Sequence, residues 1–307
     1  MANSINKVAK PWTSKSIGST FQHNVFYLLI RMRAGWIIFT LLRLVVIYYV
    51  LLRPSVRTRS GYYLSRRFPT ARGARGLWNT CLMDRNMGQT LIDRATVGIV
   101  GTDAVRVDFP DRERLRKLVR EGKGLILMTG HVGGWQVVMY ELRFLKLPVN
   151  LLLHRDQGDV DRLYFEHQGT AEAPFRIIDP AEELGGMLRM LEVLKRGEVL
   201  CIMGDRVFGS AKNTVPVRFL GGEIRIPFSA FKIASATGTP IAVILSFRKG
   251  RGLYEMTLDR VIRVPLGLGR GGNEFARYAR EFVEGLEKFV MIHPFQFFNF
   301  FNMWENK

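Results

Sequence analysis

From residue 101 onward the chain alternates apolar runs of strand length with amphipathic stretches of helical period, and this alternation confines the fold to the α/β class. The apolar runs predict strands over Leu125–Thr129, Asn150–His154, Phe175–Ile178, Val199–Gly204, Val215–Phe219, Glu223–Ile226, Ile241–Phe247 and Tyr254–Asp259. Between them the pattern predicts helices over Gly134–Leu145, Val160–Gln168, Ala181–Lys195, Pro227–Thr237 and Asn273–Ile292. Within 181–195, Leu184, Leu188, Leu191 and Leu194 share one helix face, and Lys195-Arg196-Gly197 supplies a stop. Gly221-Gly222, set between two β-like runs, reads as a hairpin turn. With neither an internal repeat nor a linker, residues 101–307 read as a single domain whose mixed, mostly parallel sheet is flanked by helices.

Upstream the composition changes. Residues 1–20 form a polar, basic tail with Lys7, Lys10 and Lys15, and they lack the apolar core of a signal peptide. Residues 21–100 read as a helical membrane anchor followed by a connector. Trp36–Leu52 is a run of 17 residues that is apolar except for Thr40 and Arg43, against the ~20 that a spanning helix needs. Arginines flank it on both sides, so charge asymmetry gives no orientation. These features point to a helix lying at or dipping into one leaflet, the alternative being a helical hairpin packed on the globular domain.

The 45 Lys+Arg against 27 Asp+Glu leave a formal charge of +18, which predicts attraction to polyanions. Arg66, Arg67, Arg72 and Arg75 lie among Tyr62, Tyr63, Phe68 and Trp78, a mixture that suits a lipid headgroup layer. It also suits single-stranded nucleic acid. No nucleic-acid-binding signature accompanies it, and with the apolar N-terminal run the balance falls to an anionic membrane, with no nucleic-acid partner. Cys81 and Cys201 form no CxxC pair and read as buried thiols.

The chemistry-bearing residues collect at predicted strand ends. Thr129-Gly130-His131-Val132-Gly133-Gly134-Trp135-Gln136 follows the first strong strand, at the edge where α/β sheets meet ligands. His131 can exchange a proton near neutral pH. Gly133 and Gly134 can free backbone N–H groups for developing negative charge. The plain alternative is a histidine serving as a turn residue. Met203-Gly204-Asp205-Arg206 follows a second strand, and a parallel sheet would bring Asp205 and Arg206 to the same edge as His131. Arg206 could then clamp a phosphate, or Asp205-Arg206 could simply make a capped turn. His154-Arg155-Asp156 offers Arg155 for the same anion, or as a solvated loop charge. Gly267–Gly272 reads as a flexible loop that could cradle an anion. The five histidines show no metal-ligand spacing, GxSxG and Walker motifs are missing, and no GxGxxG follows a strand, so neither metal nor cofactor is expected.

Taken in order, the Gly130–Gln136 segment, Gly204-Asp205-Arg206, the Val217–Gly221 to Ile226-Pro227 hairpin and the closing His293-Pro294-Phe295-Gln296-Phe297-Phe298 resemble the lipid A biosynthesis acyltransferase family, the lauroyl/myristoyl branch of the lysophospholipid acyltransferase superfamily. The resemblance runs from about residue 25 to the end. It implies transfer of a fatty acyl group from an acyl carrier protein or acyl-CoA thioester to a hydroxyl or amine of a membrane lipid or lipid-linked acceptor. It also implies placement on the cytoplasmic face of a bacterial inner membrane. The family pattern is HX4D/E, a histidine base oriented by a carboxylate five residues on. His131 matches the histidine, but Gln136 stands at the carboxylate position. A glutamine can accept the imidazole N–H but cannot stabilise an imidazolium by charge. The departure leaves open a weaker base, a substitute carboxylate (Asp205 or Glu141), or a lipid-binding protein that keeps the fold without turnover.

Overall fold

The computed structural model describes residues 20–154, 175–182, 186–207, 211–269 and 271–304. Arg155, Leu184 and the helix expected over Val160–Gln168 lie outside the described residues. Four helices come first: α1 (Thr20–Arg31), α2 (Gly35–Leu52), α3 (Pro54–Arg67) and α4 (Gly73–Val100). Proline opens α3 at a position where its missing N–H is not needed. In α2, Ile38, Leu42, Val46 and Val50 recur at helical spacing and bury with Ile30, Val56 and Ile92 in a small core of their own. Gly88 of α4 permits the approach, because a Cβ there would overlap Leu42. The opposite face of α2 carries Trp36, Ile37, Leu44, Ile47, Tyr48, Leu51 and Leu52 in the open, Trp36 at 75% exposure. Among the described residues α2 is the helix long and apolar enough to cross a membrane by length and composition. Elements of both sequence alternatives thus occur in one helix: one face packs as in a hairpin, and the other is apolar and exposed among the described residues.

The α/β part begins with β1 (Arg106–Asp108), α5 (Arg112–Arg120) and β2 (Leu125–Thr129). There follow α6 (Trp135–Val138), β3 (Val149–Leu152), β4 (Arg176–Ile178), α7 (Met187–Lys195) and β5 (Val199–Met203). The ribbon β6 (Thr214–Phe219) and β7 (Gly222–Pro227), helix α8 (Ser229–Thr237), the hairpin β8 (Ile241–Gly250) and β9 (Leu253–Ile262), and α9 (Gly272–Ile292) complete it. One seven-stranded sheet has the order β1-β9-β8-β2-β5-β3-β4, with β8, β2, β5, β3 and β4 parallel and β9 antiparallel to β8. The interior strands β2 and β5 are continuous apolar runs because both faces are covered. Ile126, Met128, Leu200 and Ile202 pack with α7, α8 and α9, while Leu125, Leu127, Val199 and Cys201 face α5, α6 and the end of α4. On α9, Phe275, Ala279, Phe282, Leu286 and Val290 form the stripe that covers the first of these faces.

Several elements depart from expectation for local reasons. The region 134–145 is one short α turn that tightens into a 3-10 stretch over Met139–Leu145 and ends on Lys146 at φ 54°. Helix α7 starts at Met187, later than expected, and the leucine stripe matches its buried face only in part: Leu194 is buried with Met190 and Val193, and Leu191 packs partly buried against the core, whereas Leu188 is 57% exposed. β1 and α5 carry too little signal to be read, one being three residues long and the other burying only Leu115 and Leu118 among charges. The β6–β7 turn is Leu220-Gly221, with φ 47° and 75°, one residue earlier than expected, and Phe219 pairs with Gly222 to close it. Leu220 holds this unusual conformation with its N–H donated to Glu287, 3.2 Å.

A buried polar cluster fixes α4 to the sheet. The Asp93 carboxylate accepts from Arg248 Nε at 2.6 Å and from the Tyr254 hydroxyl at 2.9 Å, and Arg248 also reaches Gln89 at 3.2 Å. Removing one member of a buried pair of this kind destabilises a fold by about 3–5 kcal/mol, because a charge is left without its partner.

Candidate active site

β2 and β5 pair in parallel with Thr129 opposite Met203, and the Gly204 N–H extends the ladder to the Thr129 carbonyl at 2.8 Å. Two residues beyond this register, His131 and Asp205 leave neighbouring strands side by side. The His131 N–H donates to Asp205 Oδ2 at 2.9 Å, and His131 Nδ1 lies 2.7 Å from Oδ1. An ionised carboxylate only accepts, so this contact places the imidazole proton on Nδ1 and leaves the Nε2 lone pair available. Gly130 and Gly204 make room for the pair: a Cβ at Gly204 would overlap Met128, and one at Gly130 would press on Leu286 and Asp205.

Burial sets the electrostatics. Asp205 is 1% exposed. Burial alone would raise its carboxyl pKa, but His131, through charge and hydrogen bonds, and the Arg206 guanidinium outweigh this and hold it below the usual carboxylate range. For His131 burial is the largest influence and Arg206 adds to it. Together they exceed the pull of Asp205, so the imidazole titrates below its ordinary value and is neutral at pH 7. Arg206 donates to the Phe298 carbonyl at 2.9 Å and stands 5.6 Å from the Phe301 ring centroid. Burial lowers its pKa to about 10, which leaves it charged at neutral pH.

The other candidate residues sort themselves by their partners. The Gln136 side-chain oxygen accepts from Arg94 of α4 at 2.9 Å, while the Nδ1 side of His131 is occupied by Asp205. Glu141 is ion-paired with Arg112. The Gly133 N–H donates to the Gln296 carbonyl at 2.8 Å, so the oxyanion contact expected of it has no donor there. Gly133 sits at φ 51°, and any Cβ would run into the Ser246 carbonyl, a fit only glycine allows. Gly134 packs on the Tyr254 ring and opens α6. His154 Nδ1 lies 3.2 Å from Asp179 Oδ1, a second histidine–aspartate pair where β3 and β4 end. In the Gly267–Gly272 loop, the Gly271 N–H is capped by the Glu274 carboxylate at 2.9 Å, so the helix supplies its own anion.

Sequence reasoning did not foresee what holds the His131 loop from outside. Residues 293–304 cross the sheet edge as a strap. Val132 and Phe297 form an antiparallel bridge, the Phe298 N–H donates to the His131 carbonyl at 2.7 Å, and the Tyr63 hydroxyl donates to the Pro294 carbonyl at 2.8 Å. Phe297 is fully buried between the Tyr63 and Phe219 rings, with centroids 4.9 and 5.7 Å away. The aromatic density of Phe295-Gln296-Phe297-Phe298 was the available signal, but density alone does not say which loop it covers.

His131, its Nδ1 held by the buried Asp205 carboxylate, thus stands at the carboxyl edge of the parallel strands, where α/β sheets meet ligands. Residues 81–306 match the family model described as bacterial lipid A biosynthesis acyltransferase. The chain belongs to that family: it is an acyltransferase, and its reaction is acyl transfer to a lipid acceptor. No individual curated protein matches the chain. His131 is expected to titrate below ~6.5, the unperturbed value, and Asp205→Asn to move it lower still, because Asp205 favours the imidazolium. Ring-carbon NMR of the purified protein reads this directly, and a His131 pKa above that value contradicts the electrostatic picture.

Proposed function

We propose that this acyltransferase uses His131 as general base and Asp205 as the carboxylate that orients it. The observation that carries the reading is the 2.7 Å contact between His131 Nδ1 and Asp205 Oδ1. The acceptor hydroxyl or amine attacks the carbonyl carbon of an acyl thioester as His131 Nε2 takes its proton. The tetrahedral oxyanion collapses, the C–S bond breaks, and the departing thiolate recovers the proton from Nε2. Asp205 stabilises the imidazolium formed in between, which a glutamine could not do by charge. Acyl carrier protein and acyl-CoA both present the thioester on a phosphopantetheine arm and are the two donors proposed. Arg206 beside the pair, Arg155, and the Gly134 N–H are the groups proposed for the substrate's anionic and oxyanion charges. The paired Asp205 favours this reading over a fold retained without turnover.

The same proposal places the protein at the cytoplasmic face of a bacterial inner membrane, with the exposed apolar face of α2 in the lipid. The +18 charge supports an anionic lipid surface. Ile47→Asp combined with Leu51→Asp is expected to weaken flotation with vesicles of mixed neutral and anionic lipid, and unchanged flotation contradicts the placement.

Acyl transfer by purified protein to a lipid acceptor tests the chemistry. His131→Ala is expected to lower the rate by ~10²–10⁴. Gln136→Glu is expected to leave it close to wild type, since the new carboxylate remains beside Arg94. Full activity in His131→Ala overturns the mechanism, and a large gain in Gln136→Glu overturns the assignment of Asp205 as the orienting carboxylate.

A further inference from the structure

We infer that Gln296 is a positioning residue for His131; the inference rests on the proposed role of His131 as base. β2 pairs with β8 only along Ile126–Met128 and Ile241–Val243, whereas β8 continues to Gly250. Past the end of β2, the backbone of β8 on that side needs other partners. At Arg248 both are supplied by one side chain: the Arg248 N–H donates to Gln296 Oε1 at 2.8 Å, and Gln296 Nε2 donates to the Arg248 carbonyl at 3.0 Å. The primary amide thus takes the place of a peptide group and extends the sheet by one rung.

The main chain of the same residue faces the other way. The Gln296 carbonyl accepts the Gly133 N–H at 2.8 Å, and two residues on the Phe298 N–H reaches the His131 carbonyl at 2.7 Å. Gly133 in turn lies so close to Ser246 of β8 that a Cβ would overlap its carbonyl. The His131–Gly133 loop is therefore clasped between β8 and the strap, and Gln296 of the strap bonds to both β8 and the loop. Asp205 fixes the direction of the imidazole, whereas Gln296 fixes how far the loop stands from β8. The distance from Nε2 to an incoming acceptor depends on both settings. A shift of about 1 Å in such a setting can lower a rate by ~10²-fold without touching the chemistry itself.

Gln296→Met keeps the side-chain length and removes both bonds to Arg248, while Gln296→Glu keeps the acceptor and loses the donor. Wild type, both variants and His131→Ala would be compared for kcat and KM in the acyl-transfer assay, with melting temperatures beside them. The expected result is a kcat in Gln296→Met lower by severalfold up to about 10²-fold with KM unchanged. Gln296→Glu should fall between it and wild type. Wild-type kcat in a folded Gln296→Met, while His131→Ala is inactive, overturns the inference and leaves the general-base reading intact. Loss of the fold in Gln296→Met passes the decision to Gln296→Glu, where wild-type kcat overturns it and a reduced kcat at unchanged KM supports it. A fall confined to KM contradicts it as well, since positioning of the base acts on the chemical step. Activity retained in His131→Ala is a failure of the general-base reading instead.

Discussion

The arrangement at the sheet edge depends on keeping a carboxylate ionised where almost no water reaches it. Asp205 is 1% exposed, and a buried charge persists only if donors replace its hydration. His131 supplies two, one from its backbone and one from its ring, so one residue satisfies both carboxylate oxygens. That double contact constrains the chain on each side. The two strands must pair in register, Gly130 and Gly204 must lack side chains, and α9 must present Phe282 and Leu286 beneath. The same contact selects the imidazole tautomer with its lone pair on Nε2, which is the form a base requires.

Three segments distant in sequence meet around this pair. Helix α4 is locked to β8 through Asp93, Arg248 and Tyr254, and to the segment after His131 through Arg94 and Gln136. β8 bears on the His131 loop at Gly133 and on the strap at Gln296. Because α2 packs its buried face on α4, a continuous run of packed elements links the exposed apolar surface to the candidate base. In the proposed membrane placement, the helical layer that would meet lipid is braced against the loop that would act on it.

The strand cores, the hairpin and the strand-end position of His131 were legible because continuous apolar runs and paired glycines have few other readings. The proximity of Asp205 followed from parallel pairing alone. Gln136 was less legible: the family pattern directs attention five residues past the histidine, but its partner there is Arg94, forty-two positions earlier in the chain, which no local spacing reveals. Gly133 was read as freeing its N–H for substrate charge, yet that N–H is committed to Gln296, and it is the Ser246 carbonyl that excludes a side chain there. The leucine stripe was right at Leu194 and wrong at Leu188, because helical period locates a face without saying which neighbouring side chains will cover it. Long-range contacts made by a strap or a neighbouring strand leave no periodic trace.

The central claim is that His131 and Asp205 act as one unit and that Gln136 stands outside it. A double-mutant cycle on the acyl-transfer rate measures this directly, since residues that act together are strongly non-additive. Adding Asp205→Asn to His131→Ala should cost almost nothing further, whereas adding Gln136→Ala should contribute its full single-variant effect. Additive losses for His131 with Asp205, together with coupling between His131 and Gln136, would contradict the account.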